Sequence, residues 1–226
     1  MKITIAALVL GLACAPYALS ASCSLSKDSG FHISGNNLCL NDVDYVDGIA
    51  KLRQLDINSF SVINKEMVVF SATSPLGSFL MLGTPKGNIK ILGDMPNSDL
   101  KKSITGIRSV SFSQKNNEIY FISNAWAVSG AIHKLSWNHI INVLDNIPVE
   151  VDDIEFITSG NTFYVIQQGK YQGYLIANKH KYKKGGGSYD VYSLVSPSGK
   201  EIREIDEYQE KVNEFLYTSG TNETIK

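Results

Sequence analysis

The chain has 226 residues, 43% of them hydrophobic and 19% charged, with a formal net charge of −1. That length allows one globular domain with a sizeable core, or at most two small ones. The apolar content excludes a disordered chain, and the balanced charge excludes a general nucleic-acid binder, which needs a strong positive excess.

The first twenty residues, MKITIAALVLGLACAPYALS, combine Lys2, an apolar run from Ile3 to Ala15 and small residues at Ala18 and Ser20. This is the layout of a secretory signal peptide cleaved after Ser20, which leaves residues 21–226 as a single β-rich domain, periplasmic or secreted. The run is shorter than the roughly 20 residues of a retained membrane span, and no later segment offers one. Gly11 and Ser20 stand three residues before Cys14 and Cys23, where a lipid-anchored protein would carry Leu. Cys14 leaves with the leader, so Cys23 and Cys39 are expected to pair as a disulfide in an oxidising compartment. Such a bond would contribute about 3 kcal/mol by restricting the unfolded chain.

A short helix is expected over 46–55, after the acidic turn at 41–44. From Phe60 the sequence FSVINKEMVVFSATSPLGSFLMLGTPKGNIKIL alternates strand-like stretches at 60–63, 66–72, 78–83 and 88–92 with turn signals, an antiparallel meander of four strands. The unit recurs in outline at 109–137, and a third copy is expected from Asp153 through 173–182 to 190–205. Aligning Phe60, Val110 and Ile154 gives spacings of 50 and 44 residues, close to the length of about 40–50 residues of a four-stranded propeller blade. A shorter early copy would run from Phe31 to about Leu55. The fold class expected is all-β: antiparallel four-stranded meander repeats, small and β-propeller-like or a β-sandwich, with a short C-terminal helix. That helix is placed at 207–216, with Tyr208, Val212, Phe215 and Leu216 on one stripe, Asp206 as its cap and Glu207 four residues from Lys211.

The stretch Val110 to Ser123, VSFSQKNNEIYFIS, resembles the first two strands of a blade in propeller repeats of the TolB type, whose usual form has a Ser-Pro-Asp-Gly-Lys turn before an Ile-Tyr-Phe strand. Ile119, Tyr120 and Phe121 fit that form, whereas Ser113 to Asn117 lack its Pro and Gly. The resemblance implies stacked four-stranded sheets.

Motifs for chemistry are scarce. The chain has no His-Glu-x-x-His, no Gly-x-Ser-x-Gly, no phosphate-binding loop and no Cys-x-x-Cys. No metal site and no cofactor is expected: His32, His133, His139 and His180 are scattered, and Asp42, Asp44 and Asp47 lack the glycine and terminal glutamate of a calcium loop. Asp152 and Asp153 read as a solvated loop.

The most informative stretch is Gly169 to Ile205. Lys170, Lys179, Lys181, Lys183 and Lys184 interleave with Tyr171, Tyr174, Tyr182, Tyr189 and Tyr192, and Gly185 to Gly187 supply a sharp hairpin connection. On a strand, Lys179, Lys181 and Lys183 point one way, and Asn178, His180 and Tyr182 the other. Tyrosine gives contact area at small entropic cost and lysine gives steering, so Lys179, Lys181, Tyr182, Lys183, Lys184, Tyr189 and Tyr192 form the expected binding patch for a protein partner with an acidic or polar surface. Edge-blunting lysines on an ordinary hairpin remain the plain alternative. The run Lys179 to Tyr182, Gly185 to Asp190 and Pro197 to Glu201 also resembles a segment of uncharacterised exported bacterial proteins.

The sequence therefore points to a non-catalytic periplasmic protein-binding module, an inhibitor or immunity protein acting on an envelope-targeting toxin or enzyme, with neither nucleic acid nor a membrane span involved. The alternatives are an envelope hydrolase acting on glycan or peptide, using His180, Asp190, His133 or Asp153, and a structural component of an envelope complex.

Overall fold

The computed structural model describes residues 31–34, 37–40, 43–44 and 55–221. The leader expected at 1–20, Cys23, Asp42, Asp47 and nearly all of the helix expected at 46–55 lie outside the described residues, as do residues 222–226. The expected Cys23–Cys39 disulfide is corrected in this respect: no disulfide joins two described residues. Cys39 is the one cysteine described, buried and not a free thiol.

Three four-stranded antiparallel meanders make up the domain. They follow a small sheet of β1 (Phe31–Ser34), β2 (Asn37–Leu40) and β3 (Val43–Asp44). The first meander is β4 (Asp56–Val62), β5 (Val68–Ser74), β6 (Gly77–Thr84) and β7 (Gly87–Gly93), paired in that order. Its two tight turns place Pro75 and Pro85 where a fixed φ near −65° starts a turn, and each is closed by a glycine at positive φ, Gly77 at +126° and Gly87 at +125°.

The second meander is β8 (Arg108–Ser113), β9 (Glu118–Trp126), β10 (Ser129–Ser136) and β11 (Ile154–Gly160). Between its last two strands the sequence WNHIINVL forms α1 (Trp137–Leu144), capped by the Ser136 hydroxyl accepting from the Asn138 N–H. This helix escapes a period-two reading because it starts one residue after a strand. The third meander is β12 (Thr162–Val165), β13 (Leu175–Tyr182), β14 (Ser188–Val195) and β15 (Glu201–Asp206), followed by α2 (Gln209–Thr218).

The third repeat therefore opens at Thr162 and not near Ile154. Ile154–Gly160 completes the second sheet, pairing with β10, and the chain turns at Asn161 directly into the next sheet. The C-terminal helix begins two residues later than expected: Tyr208 is its cap position, and Asp206 instead accepts the Tyr208 N–H at 3.0 Å. Lys211 pairs with Glu214 at 2.8 Å, in place of the expected Glu207.

Internal strands are apolar on both faces because each of the three meanders is covered on both sides, by a neighbouring sheet or, for the third, by α2. In β5, Val69 joins the core shared with the second meander, while Val68, Phe70 and Ala72 pack with Phe31, Leu55 and Met81. In β9, Ile119 and Phe121 belong to that same shared core, and Tyr120 and Ile122 pack against Leu175, Ala177 and Val195 of the third meander. In β13, Ile176 turns to the other side, under Val212 and Leu216 of α2. Alternation of side chains along a strand thus serves two cores at once.

The first strands of successive sheets meet. β4 lies against β8, and β8 against β12. The Ser59 and Ser61 hydroxyls accept the N–H groups of Val110 and Phe112 at 2.7 and 2.9 Å, and Gln167 Nε2 donates to the Phe112 carbonyl at 2.9 Å. Side chains from both neighbours thereby satisfy the open edge of β8, which has no strand partner on that side.

Candidate functional site

β13 and β14 form a hairpin whose root is buried and whose tip is free. At the root, Leu175 and Ala177 face the second sheet and Ile176 faces α2, all buried. Past Ala177 both faces turn polar and exposure rises toward Lys183–Gly187. Gly185, Gly186 and Gly187 all lie at positive φ, and a Cβ added at any of them would meet nothing within 4 Å. Among the described residues, then, open space surrounds the three glycines.

The expected patch divides along this hairpin. Lys179 Nζ donates to Glu201 at 2.7 Å, and Lys181 Nζ donates to Glu201 and Glu204, each at 2.6 Å. Both lysines lie on one face, as the alternation predicts, but their charges are neutralised by β15. Burial opposes the charged forms here, yet the mutual pairing outweighs it: the Lys181 ammonium is held above its ordinary value, and the Glu201 carboxyl below its own. Tyr192 is half-buried among the residues under α2. Lys183, Lys184 and Tyr182 remain exposed at the tip, with Lys183 Nζ 5.5 Å from the ring centre of the half-buried Tyr189. Among the described residues neither Lys183 nor Lys184 makes an ion pair.

The opposite face of the hairpin lines a cleft. His180 and Tyr182 form one wall; Trp126, Val128 and Ser129 from the β9–β10 turn, Phe156 and Ser159 from β11, and Lys101 form the rest, around a volume of about 350 Å³. Trp126 meets Phe156 edge-on at 6.1 Å, Lys101 Nζ stands 5.5 Å from the Phe156 ring centre, and His180 meets Tyr182 edge-on at 5.2 Å. Trp126, Val128 and Tyr182 are 37%, 46% and 74% exposed, so three large apolar groups open onto one concavity. The sequence gives no sign of this convergence, because Lys101, Trp126, Phe156 and Tyr182 come from four separate segments.

The candidates for the hydrolytic alternative separate. His180 Nδ1 lies 2.8 Å from Asp190 Oδ1, directly across the hairpin. His139, on α1, has its Nδ1 3.3 Å from Asp153 at the surface. His133 is fully buried, stacked on Phe121, with Nε2 2.8 Å from the Ser123 hydroxyl. That hydroxyl donates to the Ser103 carbonyl at 3.0 Å, so it accepts the imidazole Nε2–H and is committed to the core. His133 Nδ1 is buried without a hydrogen-bond partner, and burial pushes the imidazole pKa down to about 4. Ser123 and His133 thus mimic a nucleophile and base but lack access and an orienting carboxylate.

Among the described residues, no three His, Cys, Asp or Glu side chains gather to hold a metal, and no helix is long and apolar enough to cross a membrane. No protein-family model, curated protein or solved structure matches the chain.

Proposed function

We propose that this chain is a non-catalytic protein-binding module of the bacterial periplasm, an inhibitor or immunity partner of an envelope-targeting toxin or enzyme. The observation that carries the reading is the free tip of the β13–β14 hairpin, where Tyr182, Lys183 and Lys184 are exposed on a base that both cores anchor. A rigid root limits the entropy lost on binding, while the tip supplies ring area and charge. Lys179 and Lys181 serve this surface by holding β15 to the hairpin, not by meeting the partner. An interface that holds stably would bury at least about 1,000 Å², more than the tip alone offers, so the adjoining cleft belongs to it. The export route and the kinship with TolB-type repeats are parts of the same proposal, the latter supported by the contacts of β4 with β8 and β8 with β12.

The test is crosslinking of the chain in bacterial periplasmic extract, with bound proteins identified by mass spectrometry beside a Lys183→Glu/Lys184→Glu variant. One stoichiometric partner, lost in the variant, is the expected result. A chain that captures nothing, or a partner indifferent to the variant, overturns the reading.

A second reading, an envelope hydrolase, draws on one observation: the His180–Asp190 pair beside a cleft that also carries Ser129 and Ser159. Turnover of peptidoglycan fragments that is abolished by His180→Gln would establish it, and inactivity of the unaltered chain on them would remove it.

A further inference from the structure

Resting on the protein-binding reading, we infer that the cleft between Trp126, Phe156 and Tyr182 receives a single ring-bearing side chain from an acidic segment of the partner.

The apolar part follows from the lining. Rings of Trp126, Phe156, His180 and Tyr182 surround a space of about 350 Å³, enough for one aromatic side chain and too small for a packed helix. Edge-to-face contacts already order Trp126 on Phe156 and His180 on Tyr182, so the walls are set before a guest arrives. Asp190 holds His180 from across the hairpin, which fixes that wall further.

The acidic part follows from charge. Lys101 is the one formally charged side chain of the lining, apart from what His180 carries when protonated; no carboxylate lines the space. Lys101 is exposed and makes no ion pair among the described residues; Lys183 does not add to it, because its ammonium stands over Tyr189 on the other face of the hairpin. A guest ring flanked by Asp or Glu would meet Lys101 and no carboxylate of the lining, whereas a basic segment would find only Asp190, which His180 already engages at 2.8 Å. The groove on the other face of the hairpin carries three carboxylates, Glu204, Asp206 and Glu207, with Lys181 on Glu204 and Lys183 over Tyr189, so an acidic segment is favoured less there than beside Lys101.

The experiment titrates the chain into three fluorescein-labelled heptapeptides: Gly-Asp-Glu-Trp-Asp-Glu-Gly, the same with Ala for Trp, and the same with Lys for every acidic residue. Anisotropy should rise for the first, with affinity about tenfold weaker for the Ala and Lys peptides and for a Tyr182→Ala chain. Tyr182 is 74% exposed, so its loss leaves the core untouched. Lys101→Glu should weaken the first peptide severalfold and flatten its salt dependence. Absence of binding with the chain at about millimolar concentration, or binding indifferent to Trp and to Tyr182, overturns the inference. Saturation by neutral N-acetylglucosamine oligomers in place of the peptide overturns it too. A periplasmic partner still captured through Lys183 and Lys184 while the peptides fail would sink the cleft assignment and leave the wider reading standing.

Discussion

His133-Lys134 on β10 and His180-Lys181 on β13 are the same dipeptide on an internal strand of a four-stranded sheet, and each lysine holds two glutamates. Lys134 pairs with Glu118 at 2.9 Å and Glu155 at 3.1 Å on the flanking strands, and Lys181 with Glu201 and Glu204. The histidines differ. His133 is sealed beneath Phe121 and Phe156, neutral and with an orphaned nitrogen, while His180 opens onto a cleft with a carboxylate at its side. What separates them is where the strand ends relative to its neighbours: β10 is buried from Gly130 to His133, and β13 outruns its cover after Ala177. Chemistry in this fold is a matter of overhang.

The largest expected effect lies on the covered side. His133→Ala removes a stacked ring and leaves the Ser123 hydroxyl short of a donor, which should cost about 3 kcal/mol in urea unfolding at pH 7. The same site makes the protein acid-sensitive. The His133 pKa is about 4 in the folded chain against an ordinary value of 6.5, so the unfolded chain takes up a proton first as pH falls. Stability should decline from about pH 6.5 and lose up to about 3 kcal/mol by pH 4, a slope that His133→Ala abolishes. An unchanged acid profile in that variant would place the titration elsewhere.

Gly199→Ala comes next. Its backbone is at φ +83° and an added Cβ would lie 2.5 Å from the Ile157 carbonyl oxygen, so about 2 kcal/mol should be lost. Gly186→Ala at the tip, at φ +105° with open space around it, should cost about 1 kcal/mol from backbone strain alone. Equal losses at the two glycines would mean that the tip is packed after all.

Glu201→Gln tests the seam between the two regions. It should cost about 1 kcal/mol at pH 7, because Lys179 and Lys181 lose a partly buried counter-charge. The depressed Glu201 pKa gives a contribution that is full above its ordinary carboxylate value and disappears as pH falls through the folded one. Melting of the variant and the parent should therefore converge in acid. The smallest effect belongs to Lys183→Glu/Lys184→Glu, expected within about 0.5 kcal/mol of the parent by thermal melting, since exposed unpaired charges carry little stability.

Much of the fold is legible from the letters. The Pro-x-Gly turns after Ser74 and Thr84 set the first meander, and Gly185 to Gly187 mark the hairpin, because turn chemistry is local. The start of the third repeat is not legible, because Ile154–Gly160 has the same alternation whether it opens a sheet or closes one, and only pairing with β10 decides. α1 is hidden because its Trp137, Ile140 and Ile141 also suit a strand. Of the site, the exposed Tyr182, Lys183 and Lys184 are readable from composition beside a glycine run. The neutralising role of Glu201 and the approach of Trp126 and Phe156 are not, since nothing in a linear reading reports which distant strand lies alongside.

The hydroxyls of Ser59 and Ser61 have a consequence for how this chain can vary. Two acceptors spaced two residues apart engage two donors with the same spacing on the next sheet, Val110 and Phe112, and so act as a vernier between layers. A single-residue insertion within β4 would shift one scale against the other, and the error would pass to the second sheet rather than being absorbed where it arose. Length changes are absorbed more readily where no such scale is read, as at the glycine tip, where a Cβ added at Gly185, Gly186 or Gly187 meets nothing within 4 Å.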